Sequence, residues 1–292
     1  MSGRGSEGFF VPFSTRLHSD IGAQATLNEF FRLCDAGGPR CAFSGNSAQR
    51  FADLAQRLRT QPVEITFDDG STATFDYTNL IGLSLSAMYG SEVWPDYAQL
   101  LAALEEASEP TGRLGAVALL PRPDIRRPRY EPIGIQGRGG GIEEQYMNFI
   151  ESFPGVACSD STNPRNYAAW SINGALADLQ NGYFGRIWTW ASSICAEWPG
   201  HDEDRYTGPF SRVTANPVLV VGNLFDPATP YQGAVTVNNL LPRSALLTLE
   251  AWGHTSLFLS ACADQAIARY LIAGVTPAPG ARCRQDVVPF TH

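Results

Sequence analysis

The chain contains no lysine; all 21 of its basic side chains are arginine. A guanidinium stays protonated and cannot act as an amine nucleophile, so Schiff-base chemistry is excluded, as is a P-loop with its phosphate-reaching lysine. Long apolar runs are also missing. No stretch approaches the roughly 18 apolar residues of a membrane span, so contact with a membrane is not expected. The opening residues MSGRGSEGFFVPFSTR hold no apolar segment of signal-peptide length. Basic charge is outweighed: 29 acidic groups give a net charge of −8, which disfavours nucleic acid and anionic lipid as partners. No two cysteines form a CxxC pair and the four histidines lie far from any cysteine pair, so no zinc, and no cofactor, is expected. The glycine run Gly137–Gly141 follows no clear strand, which argues against a dinucleotide loop.

What is present reads as a globular protein. Of 292 residues, 44% are hydrophobic, enough for one large domain or for a core with a cap. Residues 1–23 are aperiodic and predict an extended or disordered entry segment. Leu27, Phe30, Phe31 and Cys34 share one helix face, and Phe51, Leu54, Ala55 and Leu58 repeat the spacing, with Ser47 as the expected N-cap. Pro62–Phe67 alternates, Asp69–Gly70 turns, and Thr72–Tyr77 alternates again, which predicts a hairpin. Helices are expected over Tyr77–Tyr89 and Val93–Ala107. The Pro- and Arg-rich stretch from Pro121, with Arg126, Arg127 and Arg129, reads as a solvated loop. A helix is then expected over Glu143–Phe153, and another of about fifteen residues from Asn163–Pro164.

From Val218 the pattern becomes strand, helix, strand, helix. Val218–Val221 is a continuous apolar run between Pro217 and Gly222, the signature of a parallel strand buried on both faces. Asp226 follows in a Pro-rich turn. Gln232–Leu241 predicts a helix, Ala245–Leu249 a strand, and Gly253–His254 the turn after it. Leu257–Ala273 predicts a closing helix, and the tail beyond it an irregular segment. A carboxylate and an imidazole thus stand at the carboxyl ends of successive strands, where open α/β sheets place their chemistry, in the order of the last two members of a Ser…Asp…His series.

These residues resemble the α/β-hydrolase fold. The nearer resemblance is to the C-terminal part of secreted tripeptidyl-aminopeptidase-like serine peptidases, relatives of the proline iminopeptidases. It rests on Asp226-Pro-Ala-Thr-Pro230, Gly253-His254, Cys262, Tyr270-Leu-Ile-Ala-Gly274 and Cys283, with Cys195-Ala-Glu-Trp-Pro199 upstream. It implies Asp226 and His254 as acid and base of a triad. It also implies disulfides Cys34–Cys41, Cys158–Cys195 and Cys262–Cys283, the alternative being six buried free thiols. Disulfides would place the protein in an oxidising, extracytoplasmic setting. In such a peptidase acidic groups hold the substrate ammonium, and Glu143, Glu144 and Asp160 are the candidates, though each reads more readily as a surface carboxylate.

The nucleophile is not found. It would stand in G-x-S-x-G at a strand-to-helix elbow. Gly45-Asn46-Ser47 lacks the second glycine, and Ser84 and Ser86 lie in an apolar helical run. No oxyanion hole is recognisable either. The expected fold is therefore α/β, an incomplete α/β-hydrolase core of the last two strands and helices with a mainly helical cap containing a β-hairpin. The expected regions are the extended segment 1–23, a cap-like helical region 24–187, and the hydrolase region 188–292. Three functions stay open: the C-terminal portion of a secreted exopeptidase acting on a free amino terminus, partnered by a missing N-terminal half; a non-catalytic binding protein that kept the scaffold; or an esterase.

Overall fold

The computed structural model describes residues 10–109 and 149–291, so Glu143, Glu144, the arginine cluster at 126–129 and Gly137–Gly141 lie outside the described residues. The chain groups into two compact units, described separately: residues 10–20 with 149–208, and residues 21–109 with 209–291. The stretch 24–187 expected as a cap is thus divided between them.

The first unit holds α1 (Phe13–Arg16), the first residues of α2 (Ser19–Gly37), α6 (Phe149–Asp160), α7 (Ala168–Asn181) and α8 (Gly185–Trp190). Residues 13–16 and 19–23 are helical, not extended. The order of α1 comes from tertiary contacts: the Ser14 hydroxyl donates to the Thr189 carbonyl at 2.6 Å and lies 2.7 Å from the Ser192 hydroxyl. No periodic pattern could announce so short a turn. Helix α6 runs on past Phe153, through Pro154, to Asp160. The Cys158–Cys195 disulfide ties it to the turn after α8.

The second unit carries the rest of α2, then α3 (Ser47–Leu58), the hairpin β1 (Val63–Thr66) and β2 (Thr72–Phe75), α4 (Tyr77–Met88) and α5 (Trp94–Ser108). The predicted helix faces are the ones buried: Leu27, Phe30 and Cys34 on α2, Phe51 and Leu54 on α3, Tyr97, Leu101 and Leu104 on α5. Phe30 meets Trp94 edge-on, their ring centroids 5.4 Å apart, an arrangement aromatic quadrupoles favour. Ser47 does not cap α3. Asn46, in the left-handed region at φ 58°, precedes the helix, and Asp35 accepts from the Gly45 and Ser47 amides instead. Cys34–Cys41 closes the end of α2.

The sheet follows: β3 (Val218–Phe225), α9 (Tyr231–Leu240), β4 (Ser244–Trp252), α10 (Ala261–Ala273) and β5 (Arg282–Arg284). Strand order is β3-β4-β5, and both pairings are parallel. Leu219 and Val221 of β3 pack with Leu247, Leu249 and Ala251 of β4 and with Ala263 and Ala266 of α10. The opposite face meets α9: Tyr231 places its hydroxyl 2.7 Å from that of Thr248, and a Cβ on Gly222 would fall 2.7 Å from Ala234 Cβ. This is the period of two of a strand written as two layers.

Three readings change here. Val218–Val221 is half-buried, not buried on both faces, because β3 is an edge strand with one neighbour among the described residues. The closing helix begins at Ala261, where Ser260 caps it, and 257–260 form the loop before it. The tail, read as irregular, supplies β5, which pairs with β4 from Thr248 to Glu250 and is pinned to α10 by Cys262–Cys283. The fold class is α/β, with parallel strands and a small antiparallel hairpin.

Candidate active site

Strand β3 ends at Phe225 and the next residue is Asp226, which is 4% exposed. A bare carboxylate so buried would be costly, but this one is fully engaged. Its Oδ1 accepts from the Ala228 and Thr229 amides at 2.8 Å each, and its Oδ2 accepts from the Thr229 hydroxyl at 2.8 Å. Pro227 and Pro230 fix φ on either side of that turn. The chain approaches closely from α2: a Cβ on Gly22 would stand 2.5 Å from the Asp226 carbonyl oxygen and 3.0 Å from Pro230.

Strand β4 ends at Trp252, and the turn Gly253–His254 follows. Gly253 has φ 127°, and a Cβ there would meet the Tyr89 carbonyl oxygen at 2.7 Å, so the position needs glycine on both counts. The Gly253 amide donates to the Phe225 carbonyl, and the His254 amide donates to the Tyr89 carbonyl, at 2.9 Å each. Gly90 and Gly253 form an antiparallel bridge. Asn223, buried within β3, donates from its side-chain amide to the Gly253 carbonyl at 3.0 Å. The residues that end the two strands are also stacked: the Phe225 and Trp252 rings lie 6.3 Å apart with their planes 6° from parallel. The Trp252 indole N–H donates to Glu29 on α2 at 3.0 Å.

These supports bring Asp226 and His254 together. His254 Nδ1 lies 3.0 Å from both Asp226 oxygens. A carboxylate accepts, so Nδ1–H is the donor of this pair, and in the neutral imidazole the lone pair falls on Nε2. Nε2 has no hydrogen-bond partner among the described residues, and the histidine side chain is 32% exposed. Tyr89 packs nearly perpendicular to the imidazole, centroids 5.4 Å apart. Burial, and then the nearby Asp226 charge, push its phenol up to about 12, so the hydroxyl stays neutral across the physiological range. An imidazole oriented by a carboxylate and partly open to solvent is an arrangement that can take a proton from a hydroxyl and return it.

The serines singled out by the sequence have other work. Ser47 donates to the Phe31 carbonyl, and Ser84 donates to the Leu80 carbonyl while accepting from the Tyr97 hydroxyl; both are fully buried. Among the described residues no serine is bonded to the His254 ring. Asp160 ends α6, exposed, in the other unit. No cluster of histidine, cysteine and carboxylate able to hold a metal occurs among the described residues, and no helix there is long and apolar enough to cross a membrane. Thr229, Tyr89, Asn223, Trp252 and Glu29 were not foreseen as site residues. Thr229 sits inside the Asp226–Pro230 motif and was within reach of the sequence; the others depend on long-range contacts.

The chain is similar to several known hydrolases. Residues 181–283 match the family described as TAP-like protein. Carboxylesterase B of Mycobacterium tuberculosis (strain ATCC 25618 / H37Rv) is 26% identical over 281 residues, covering 93% of this chain and 49% of that protein. Serine protease Hip1 of the same strain is 44% identical over 68 residues, 23% of this chain and 13% of Hip1. Tripeptidyl aminopeptidase of Streptomyces lividans is 26% identical over 142 residues, 47% of this chain and 26% of that enzyme. The chain thus spans about half the length of the carboxylesterase it matches.

Proposed function

From the TAP-like α/β-hydrolase region that residues 181–283 carry, we propose that this chain provides the acid and base of a serine hydrolase, with the serine contributed by a partner segment bearing G-x-S-x-G. His254 Nε2 takes the proton of that serine as it attacks the substrate carbonyl, then gives it to the leaving group. Asp226 holds the Nδ1–H tautomer and balances the imidazolium that forms. The observation that carries this reading is the 3.0 Å Asp226–His254 pair, with Nε2 free, at the ends of adjacent parallel strands.

The substrate proposed is a peptide with a free amino terminus, cut to release single residues or short peptides, as the relationship to a tripeptidyl aminopeptidase favours. Glu143, Glu144 and Asp160 are the carboxylates offered to its ammonium. An ester substrate is the second reading, favoured by the carboxylesterase that aligns with 93% of the chain. The setting proposed is extracytoplasmic, supported by three disulfides among the described residues.

The test is to purify the chain alone, and again co-expressed with the nucleophile-bearing half of a TAP-like relative. Each preparation is assayed with tripeptidyl and aminoacyl chromogenic substrates, nitrophenyl esters and a fluorophosphonate probe. The chain alone should neither turn over nor take up the probe. The co-expressed pair should turn over and lose that activity in His254→Ala. A pair that assembles and stays inert would leave the non-catalytic binding protein as the reading, and turnover of esters without peptides would select the esterase.

A further inference from the structure

We infer that Tyr89 is the positioning residue for His254, acting through its aromatic ring. The inference rests on reading His254 as the proton-transferring group. Tyr89 reaches the histidine in two ways. Its carbonyl accepts the His254 amide at 2.9 Å, which fixes the backbone at the start of the side chain. Its ring stands across the imidazole at 73°, centroids 5.4 Å apart, within the range where perpendicular aromatic pairs attract. The carboxylate of Asp226 restrains one edge of the imidazole. A hydrogen bond at one nitrogen still leaves the ring free to tilt about that contact, and a planar side chain against its face or edge removes that freedom.

The surroundings leave little slack for another arrangement. The Gly90–Gly253 bridge holds the end of α4 against the histidine turn, and any Cβ on Gly253 would collide with the Tyr89 carbonyl. Tyr89 keeps part of its surface exposed while its ring lies against the imidazole. Buried tyrosines elsewhere in the unit use their hydroxyls, as Tyr97 does with Ser84; for Tyr89 the feature that meets the histidine is the ring. A base held in one orientation loses less freedom when the transition state forms.

The test separates the two contacts, because a side-chain substitution leaves the Tyr89 carbonyl in place. Uniformly ¹⁵N-labelled chain is used to follow the His254 Nδ1–H proton, identified by its disappearance in Asp226→Asn. Tyr89→Phe should keep this resonance and its solvent-exchange rate. Tyr89→Leu, which keeps bulk without a plane, and Tyr89→Ala should raise the exchange rate at least about tenfold or lose the resonance, with backbone amide spectra otherwise native. Wild-type exchange in both non-aromatic variants overturns the inference. So does loss of the resonance in Tyr89→Phe, which would assign the effect to the hydroxyl. The measurement needs neither serine nor substrate. A failure of the hydrolase reading would therefore leave this result standing, and the reverse.

Discussion

Replacing Gly253 with alanine tests the idea that the histidine turn is built around a missing side chain. Two costs are expected. The backbone sits at φ 127°, a region l-residues avoid, at about 1–3 kcal/mol. The new methyl would also start 2.7 Å from the Tyr89 carbonyl oxygen and 3.3 Å from Gly90 Cα, both main-chain atoms. Relief requires moving the bridge, which weakens the hydrogen bond from the His254 amide, about 0.5–1.5 kcal/mol. Together the loss is about 2–4 kcal/mol. Gly274→Ala is the matched control: it is also left-handed, at φ 66°, but a Cβ there meets nothing within 4 Å, so it should carry only the backbone cost of about 1–2 kcal/mol. At about 2–4 °C per kcal/mol for a unit of this size, Gly253→Ala should lower the melting temperature by roughly 5–15 °C and Gly274→Ala by a few degrees. Circular dichroism melts under non-reducing conditions read both. Equal shifts in the two variants would refute the steric argument and leave only the backbone penalty.

Three further outcomes are expected. Asp226→Asn removes the acceptor that sets the imidazole tautomer; in the assembled enzyme turnover should fall by about 10⁴, measured as kcat on the substrate that the assay above selects. Thr229→Val takes a hydroxyl donor from the buried carboxylate and should destabilise by about 1–3 kcal/mol, measured by urea unfolding, while Thr229→Ser should restore most of it. Glu29 gives a pH signature. Burial alone would raise its pKa, but hydrogen bonds from Arg32 and Trp252 and the Arg32 charge bring it below the ordinary value of 4.5. A carboxylate depressed in the folded state contributes stability above its unfolded pKa, and that contribution is lost as pH falls through the folded pKa. The wild type should therefore lose more melting temperature than Glu29→Gln on going from pH 6 to pH 3, and parallel curves would exclude the linkage.

The sequence was readable where structure is local. The hairpin around Asp69–Gly70 and the faces of α3 and α5 follow from periodicity, and the strands at Val218 and Ala245 from short apolar runs bounded by turn residues. Asp226 and His254 stood out because each follows a strand and lies in a distinctive short motif. Other features were hidden for physical reasons. Strand β5 has three residues, too few to carry a period, and it exists because β4 offers an edge and Cys262–Cys283 brings the tail to it. Helix α1 is ordered by serine contacts with distant residues. Tyr89 carries no motif; its importance lies in where the end of α4 docks, which nothing in its neighbours announces. The half-burial of Val218–Val221 was missed because composition reports what a strand can bury, not how many neighbours it has.

The bond between the Trp252 indole and Glu29 joins residues 223 positions apart in the chain. Asp226 and His254 are separated by only 28, yet their alignment leans on that distant contact and on Gly22 and Tyr89, which also lie early in the chain. During synthesis α2 leaves the ribosome long before either member of the pair exists, and closing such a separation is a slow, entropically opposed step in folding. The Asp226–His254 alignment therefore draws on both ends of the second unit. Order at the imidazole should thus report whether α2 has docked, because the contacts that hold its turn come from residues far back in the chain.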